Sequence, residues 1–229
     1  MQESQLEPAI DEINSLRDVL YRGSNISDII MKRIEEFKTL GTFGRTHFNF
    51  HPFLDLELDT DIFGELCFCI LTANSSAELG IRIQKEIGIE GFKELSEVQI
   101  SEILLKMGHR YPSIRAKYIF LARSFDLQRV LKQGNGKLAR QILLGVKGLG
   151  MKESSHFLRN IGYDDVAIVD RHIYRFLVRH KLVQYKESIT PNLYLECERI
   201  LEKISHISQI PLSALDLYIF YKQAGTILK

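Results

Sequence analysis

Residues 145–173 read GVKGLGMKESSHFLRNIGYDDVAIVDRHI, and this stretch contains the most informative motif of the chain. Its glycines Gly145, Gly148 and Gly150 separate two segments with helical spacing. Glycine permits a positive φ and a close approach of the backbone, and the first amides of a helix favour an anion. The stretch therefore predicts a helix-hairpin-helix that grips DNA phosphate without reading the base sequence. A glycine-containing turn between two helices, with no ligand, is the alternative.

Two residues of the stretch can carry chemistry. Lys152 stands at the start of the second helix, beside the predicted phosphate site, where neighbouring cations or burial can lower the pKa of an amine so that its neutral form attacks an electrophile. Asp170 precedes RHIYRFL, the position of a helix N-cap. Each also has a plain interpretation, Lys152 as a solvated surface lysine and Asp170 as a cap alone.

Composition indicates a folded protein with one locally basic segment. The chain has 229 residues, of which 45% are apolar, so a sizeable core is expected and disorder is not. The formal net charge is +1, yet residues 134–180 carry eight Lys/Arg against four acids. A local excess of positive charge is typical of a phosphate-binding face, although a solvated helical surface would also account for it.

The three cysteines exclude several classes of protein. Cys67, Cys69 and Cys197 are too few for a disulfide framework or a four-cysteine iron–sulfur site, and they lack metal-ligand spacing. Cys67 and Cys69 lie in an apolar run and are expected to be small buried residues. We expect no metal and no cofactor. The sequence shows no signal peptide and no apolar run of transmembrane length, so an intracellular, reduced setting is expected.

Hydrophobic spacing predicts an all-α protein. Helical periods recur along the chain, and residues 41–60, rich in Phe, His and Gly, form the one region that predicts an extended link or a short hairpin. We expect two helical subdomains flanking a cleft. Residues 61–168 form the central one with the hairpin; the helices and linker of residues 1–60 pack with the C-terminal helices of residues 169–229, which complete the cleft.

Three further segments join the opening stretch in a resemblance to a known family. They are ELCFCILTANSSAELGIR, GHRYPSIRAKYIFLAR and the final LDLYIFYKQAGTILK. Together the four resemble the helix-hairpin-helix DNA glycosylase superfamily, and within it the second, prokaryotic type of 8-oxoguanine DNA glycosylase/AP lyase. The resemblance covers roughly residues 61–229. It implies a bifunctional DNA repair enzyme of base excision repair.

The resemblance assigns the two chemical residues. Lys152 falls on the family's nucleophile, which attacks C1′ of the damaged nucleoside, and Asp170 falls on the carboxylate that assists departure of the base. An amine nucleophile gives a Schiff base, and β-elimination then cuts the strand on the 3′ side. The absence of four suitable cysteines separates the chain from the iron–sulfur branches of the superfamily.

The resemblance also implies the residues that recognise the flipped base. Phe220 occupies a tail position where the family often has tryptophan, and this chain has no Trp. Lys229 falls where the family's chain terminus helps to recognise 8-oxoguanine, so a tag appended there should impair the enzyme. Asp216 and Tyr111 are expected at the base pocket and its rim. Core packing of the last helix is the alternative for Phe220.

The remaining predicted contacts are to DNA. Asn74, with Ser75 and Ser76, is expected to fill the gap left by the flipped base or to contact the orphan partner base, although a helix cap is needed nearby in any case. Arg110 is expected at the pocket rim. The predicted phosphate contacts of the hairpin are Gly145, Lys147, Gly148 and Gly150.

The expected partner is double-stranded DNA containing 8-oxoguanine, bound by a monomer in the cytoplasm, at the nucleoid of a prokaryote, with no membrane involved. Two alternatives remain open from the sequence. One is the same fold acting on another damaged base; the other is a non-catalytic helix-hairpin-helix module in which Lys152 only contacts phosphate. The sequence does not predict the preferred base opposite the lesion.

Overall fold

The secondary structure is helical apart from two short hairpins. The computed structural model describes residues 3–229. Its N-terminal elements are a 3-10 turn at Glu3–Gln5, α1 at Glu7–Asn14, β1 at Leu20–Tyr21, β2 at Ser24–Asn25, α2 at Ile26–Phe43, β3 at Arg45–Asn49 and β4 at Glu57–Asp61. The predicted N-terminal segment, residues 1–60, includes residues 1 and 2, which lie outside the described residues.

Within residues 3–229, the secondary-structure elements after β4 are all helices. The middle elements are α3 at Ile62–Thr72, α4 at Ala77–Glu94, α5 at Glu97–Lys106, α6 at Pro112–Ala122, α7 at Gln128–Leu131, α8 at Gly136–Leu143 and α9 at Met151–Asn160. The final elements are α10 at Arg171–Arg179, α11 at Pro191–Ser208 and α12 at Leu212–Ala224. The predicted all-α class is confirmed. The prediction of a hairpin in residues 41–60 is confirmed by the antiparallel pair of β3 and β4, in which Arg45 pairs with Asp61 and Asn49 with Glu57. It is wrong for residues 41–43, which continue α2.

Side-chain caps set where several helices begin. Ser76, rather than Ser75, caps α4 by accepting a hydrogen bond from the Leu79 amide at 3.2 Å. Thr190 caps α11, whose first residue is Pro191, by accepting a hydrogen bond from the Leu193 amide. Such caps satisfy amides that have no acceptor within the helix. These two caps therefore define where α4 and α11 begin.

The core is centred on α3. Residues 64–72 of this helix are all buried, including Cys67 and Cys69, so the prediction for the two cysteines is confirmed. A helix that is apolar on every side needs neighbours on every side, and α3 packs against α4, α6 and α9. Among residues 3–229, no helix combines the length and apolarity needed to cross a membrane.

The hairpin between α8 and α9 depends on one glycine. Gly148 has φ +92°, and a Cβ added there would lie 2.5 Å from Cδ2 of Tyr118 on α6. A residue with a side chain would meet both backbone strain and a steric clash at this position. Gly148 thus allows the hairpin to lie directly against α6, while α9 packs on α3 and α2.

Candidate active site

A cleft of about 860 Å³ lies at the N-terminal ends of α9 and α10. Five residues predicted from the sequence line it: Asn74, Ser75, Arg110, Lys152 and Asp170. Its other lining residues are Thr72, Ser76, Met151, Glu153, Val169, Arg171, His172, Ile189, Pro191 and Tyr194. The fold therefore brings the predicted nucleophile, the predicted carboxylate and three predicted DNA contacts to one cavity.

Lys152 is the second residue of α9, and its side chain is 27% exposed. Its Nζ lies 3.9 Å from Oε1 of Glu153, which is too far for a hydrogen bond. The amine is thus partly shielded by protein, borders the cleft, and is not held by its nearest carboxylate. These are the conditions that a nucleophile needs in order to reach a bound substrate.

Asp170 is the N-cap of α10. One carboxylate oxygen, Oδ1, accepts a hydrogen bond from the Ile173 amide at 2.8 Å. The cap needs only that oxygen, so the second is left for chemistry in the cleft. The predicted double role, as cap and as catalytic carboxylate, is geometrically possible in this arrangement. Capping also fixes the side-chain rotamer and hence the direction of the carboxylate.

The glycine hairpin lies beside the cleft. Gly150 is the N-cap of α9, and its amide donates to Oε2 of Glu153 at 3.1 Å. One of the amides at the predicted phosphate site is therefore already engaged by a carboxylate. Gly145 and Lys147 are exposed on the turn. Within the described residues 3–229, neither of them lines the cleft.

Three other predicted residues lie around the cleft rather than in its lining. Phe220 on α12 meets the ring of His172 edge-on, with the centroids 5.0 Å apart, and His172 itself borders the cleft. Asp216 accepts a hydrogen bond from Nη2 of Arg159 at 3.1 Å. Burial raises the pKa of Asp216 to about 6, with Arg159 opposing the shift and Asp170 adding to it. Tyr111 precedes α6, next to Arg110.

Lys229 is held in the core by its side chain. Its Nζ donates to Oε2 of Glu65 at 2.8 Å and to Oε1 of Gln84 at 2.7 Å. The same atom lies 4.0 Å from the ring centroid of Phe68. Burial lowers the pKa of Lys229, and Glu65 opposes that shift. The ammonium group is thus committed to the interior, so any contact of Lys229 with a base falls to its main-chain atoms.

The comparison with known families decides the chain's affiliation. The family model for 8-oxoguanine DNA glycosylase matches residues 43–210. The chain belongs to the 8-oxoguanine DNA glycosylase family. A relative from Aquifex aeolicus named 8-oxoguanine DNA glycosylase/AP lyase is 44% identical, with 96% of this chain and 100% of that protein covered. The same name is given to a protein of Methanocaldococcus jannaschii that is 45% identical, with 91% and 95% covered.

Solved structures of this glycosylase family share the fold. The Methanocaldococcus jannaschii 8-oxoguanine glycosylase/lyase in complex with a 15mer DNA containing 8-oxoguanine superposes with a TM-score of 0.82 at 44% identity. That match covers 97% of this chain and 100% of the other. The 8-oxoguanine DNA glycosylase of Thermotoga maritima gives a TM-score of 0.83 at 37% identity, with 98% and 100% covered. The helix-hairpin-helix glycosylase fold predicted from the sequence is confirmed.

Sequence reasoning missed part of the glycosylase cleft. Tyr194 and Pro191 on α11, Ile189 before it and Met151 on α9 all line the cavity. Met151 is next to Lys152 and could have been included on that ground. Tyr194 gives no local signal, because it lies on a buried helical face like any core aromatic residue. Residues 3–229 contain no group of three or more His, Cys, Asp or Glu arranged to hold a metal ion.

Proposed function

We propose that this chain excises 8-oxoguanine from double-stranded DNA and then cleaves the strand 3′ to the abasic site by β-elimination. It is a DNA N-glycosylase and AP lyase. The observation that carries the proposal is the meeting of Lys152 and Asp170 at one cleft, at the N-terminal ends of consecutive helices. The assignment of 8-oxoguanine as the substrate is supported by the names of its relatives and by the complex of one of them with DNA containing 8-oxoguanine.

Lys152 is the nucleophile of the proposed reaction. The lone pair of its neutral amine forms a bond to C1′, and the bond from C1′ to the base breaks with its electron pair leaving on the base. Loss of a proton and opening of the sugar give a Schiff base, which acidifies the C2′ proton. Removal of that proton breaks the bond from C3′ to the phosphate oxygen and cuts the strand. An amine suits both steps, since it is nucleophilic and forms an imine.

Asp170 supports departure of the base. Positive charge develops on the sugar as the base leaves, and a carboxylate fixed in the cleft stabilises it without having to reorganise. The cap on Ile173 supplies that fixed position. Arg110 and Arg171, which also line the cleft, are suited to the negatively charged phosphates on either side of the damaged nucleotide.

The base must leave the helix stack to reach this site, at a cost of a few kcal/mol. Asn74 has φ +61° and projects from the turn between α3 and α4, where it and Ser75 are suited to the gap in the duplex. The turn with Gly145, Lys147, Gly148 and Gly150 is suited to contact with the phosphate backbone of the DNA. Phe220, Asp216, Tyr111 and the main chain of Lys229 stay predictions for base recognition.

The division of the chain at residues 60 and 168 into parts that flank the cleft also stays a prediction. Contacts of α1 with α11 and of α2 with α12 support the packing of the N-terminal helices on the C-terminal ones. Acting on chromosomal DNA, the enzyme works in the cytoplasm, at the nucleoid of a prokaryotic cell. The prokaryotic sources of its relatives support that location.

Borohydride trapping tests the proposal directly. The wild-type protein should form a covalent adduct with duplexes carrying 8-oxoguanine opposite each of the four bases, whereas Lys152→Gln should form none. Asp170→Asn should bind the duplex but lose most base release. Lys147→Gln is the matched control, because it removes an exposed cation of the hairpin that lies outside the cleft lining; it should weaken binding and still give the adduct.

Two outcomes would contradict the proposal. An adduct with Lys152→Gln would show that another amine attacks. Binding by the wild-type protein without strand cleavage would favour a non-catalytic hairpin module. A panel of duplexes with other damaged bases, run alongside, distinguishes 8-oxoguanine from the remaining candidate lesions.

A further inference from the structure

The segment that leads into Asp170 is buried but lacks regular structure. Residues 163–170, all of them described by the structure, form neither helix nor strand, and Val166, Ala167, Ile168 and Val169 are buried. Buried backbone N–H and C=O groups need hydrogen-bond partners. Without a helix or sheet in this segment, its conformation depends on the side chains that provide those partners.

Helix α11 provides them with two side chains. The hydroxyl of Tyr194 donates to the Ala167 carbonyl at 2.7 Å and accepts from the Val169 amide at 3.2 Å. Oε1 of Glu198 accepts from the Ala167 amide at 2.9 Å. Tyr194 and Glu198 are four residues apart and so lie on one face of α11. Together they hold both polar groups of Ala167 and the amide of the residue just before Asp170.

The same cluster extends to the helix that carries Lys152. Oη of Tyr194 lies 3.0 Å from Oγ of Ser155, one turn after Lys152 on α9. Arg140 on α8 donates to Ser155 at 3.0 Å and pairs with both oxygens of Glu198 at 2.6 and 2.8 Å. These side chains are almost completely buried. One hydrogen-bonded cluster therefore joins both elements that bear the proposed chemical groups.

We propose that Tyr194 is a positioning residue, whose hydroxyl holds residues 167–169 so that the carboxylate of Asp170 stays directed into the cleft. The inference rests on the proposed role of Asp170. Tyr194 lines the cleft, and its hydroxyl is hydrogen-bonded within the cluster. Burial raises the pKa of the Tyr194 phenol well above its usual range, so the hydroxyl stays a neutral donor. A displacement of about 1 Å at a catalytic group can cost about a hundredfold in rate, so a clamp one residue away is well placed to matter.

Tyr194→Phe tests the clamp because it removes the hydroxyl and keeps the ring. Single-turnover release of 8-oxoguanine should fall about tenfold, which corresponds to about 1.4 kcal/mol of transition-state stabilisation. Affinity for the duplex should stay within about twofold of the wild type. Borohydride trapping on a preformed abasic site needs Lys152 but no departure of a base, so it should also change by less than about twofold.

Tyr174→Phe is a matched control. Tyr174 is another buried tyrosine, and its hydroxyl also holds main-chain atoms, donating to the Gln184 carbonyl at 3.2 Å and accepting from the Lys186 amide at 2.5 Å. Those contacts lie beyond the far end of α10. Its removal should leave base release unchanged. Amide hydrogen exchange gives a direct readout: Tyr194→Phe should speed exchange at residues 166–170, and Tyr174→Phe at residues 184–187.

Three activity results would overturn the role of Tyr194. In the first, Tyr194→Phe releases the base as fast as the wild type. In the second, base release and abasic-site trapping fall by the same factor. In the third, Tyr174→Phe reduces base release as much as Tyr194→Phe does. The exchange measurement needs no activity, so unchanged exchange at residues 166–170 also counts against the clamp. Failure of the proposed function itself is distinguishable, since the wild-type protein would then release no base and form no adduct.

Discussion

The buried pair of Lys229 and Glu65 gives the sharpest prediction for stability. Both side chains are fully buried, and Lys229 Nζ donates to Glu65 at 2.8 Å and to Gln84 at 2.7 Å. Lys229→Met removes the ammonium group and keeps an unbranched side chain to pack near Phe48 and Phe68. The change therefore leaves the carboxylate of Glu65 in the core without its cation.

The size of the effect follows from that unpaired charge. Breaking a buried ion pair by removing one partner costs about 3–5 kcal/mol. For a chain of this length each kcal/mol lowers Tm by about 2–4 °C, so Tm should fall by roughly 6–20 °C. Lys38→Met is the matched control, because Lys38 pairs with Glu35 at 2.8 Å on the surface and such exposed pairs contribute about 0–1 kcal/mol.

Urea denaturation followed by circular dichroism measures the difference. In the Lys229→Met background, Glu65→Gln should recover part of the lost free energy of unfolding, since it removes the unpaired charge and keeps an acceptor for Asn160, which donates to Glu65. If Lys229→Met costs no more than Lys38→Met, or if Glu65→Gln adds to the loss, the buried pair does not stabilise the fold as argued.

Two further predictions concern the elements around the cleft. Burial lowers the pKa of His156 well below its usual range, with Lys152 and Arg159 contributing. Below about pH 6.5 the unfolded histidine therefore binds a proton that the folded one does not, so stability should fall with falling pH by up to about 1.4 kcal/mol per unit. Urea denaturation at pH 7, 6 and 5 gives the free energy of unfolding at each pH, and His156→Phe should lose the part of its pH dependence that comes from His156. If the free energies of the wild type and the variant fall in parallel with pH, this prediction is wrong. Gly148→Ala should destabilise the fold by about 1–3 kcal/mol through its left-handed φ and the contact with Tyr118. Gly134→Ala is its control, since an added Cβ there meets nothing within 4 Å, and equal denaturation midpoints for the two variants would refute the strain.

Much of the fold could be predicted because the deciding signals are local. The apolar run from Leu66 to Leu71 predicts an element that is buried on all sides, and Thr190 followed by Pro191 marks the start of α11. The glycine spacing at 145–150 predicted the turn between α8 and α9. The tight hairpin of β1 and β2 could not be predicted, since two-residue strands are too short to show an alternating pattern.

Contacts that join distant parts of the chain could not be predicted. Lys152 and Asp170 lie in one short stretch of sequence, so it could be predicted from their spacing that both would line one cleft. Tyr194 reaches the segment before Asp170 from another helix, and nothing in its own surroundings marks its hydroxyl as the partner of a backbone carbonyl. The contact of the Glu153 carboxylate with the Gly150 amide could not be predicted either, because the capping-box signature needs Ser or Thr at the N-cap and this chain has glycine there.

The contact between Lys229 and Glu65 also concerns how the chain is made. The two residues are 164 positions apart. At about 5–20 residues per second, a ribosome adds Lys229 roughly 8–30 s after Glu65. During that interval the carboxylate of Glu65 has no ammonium partner, which disfavours its enclosure in an apolar core. The central helix α3 therefore lacks the ion pair between Glu65 and Lys229 until residue 229 has been added, so chains that stop short of this residue should be less stable.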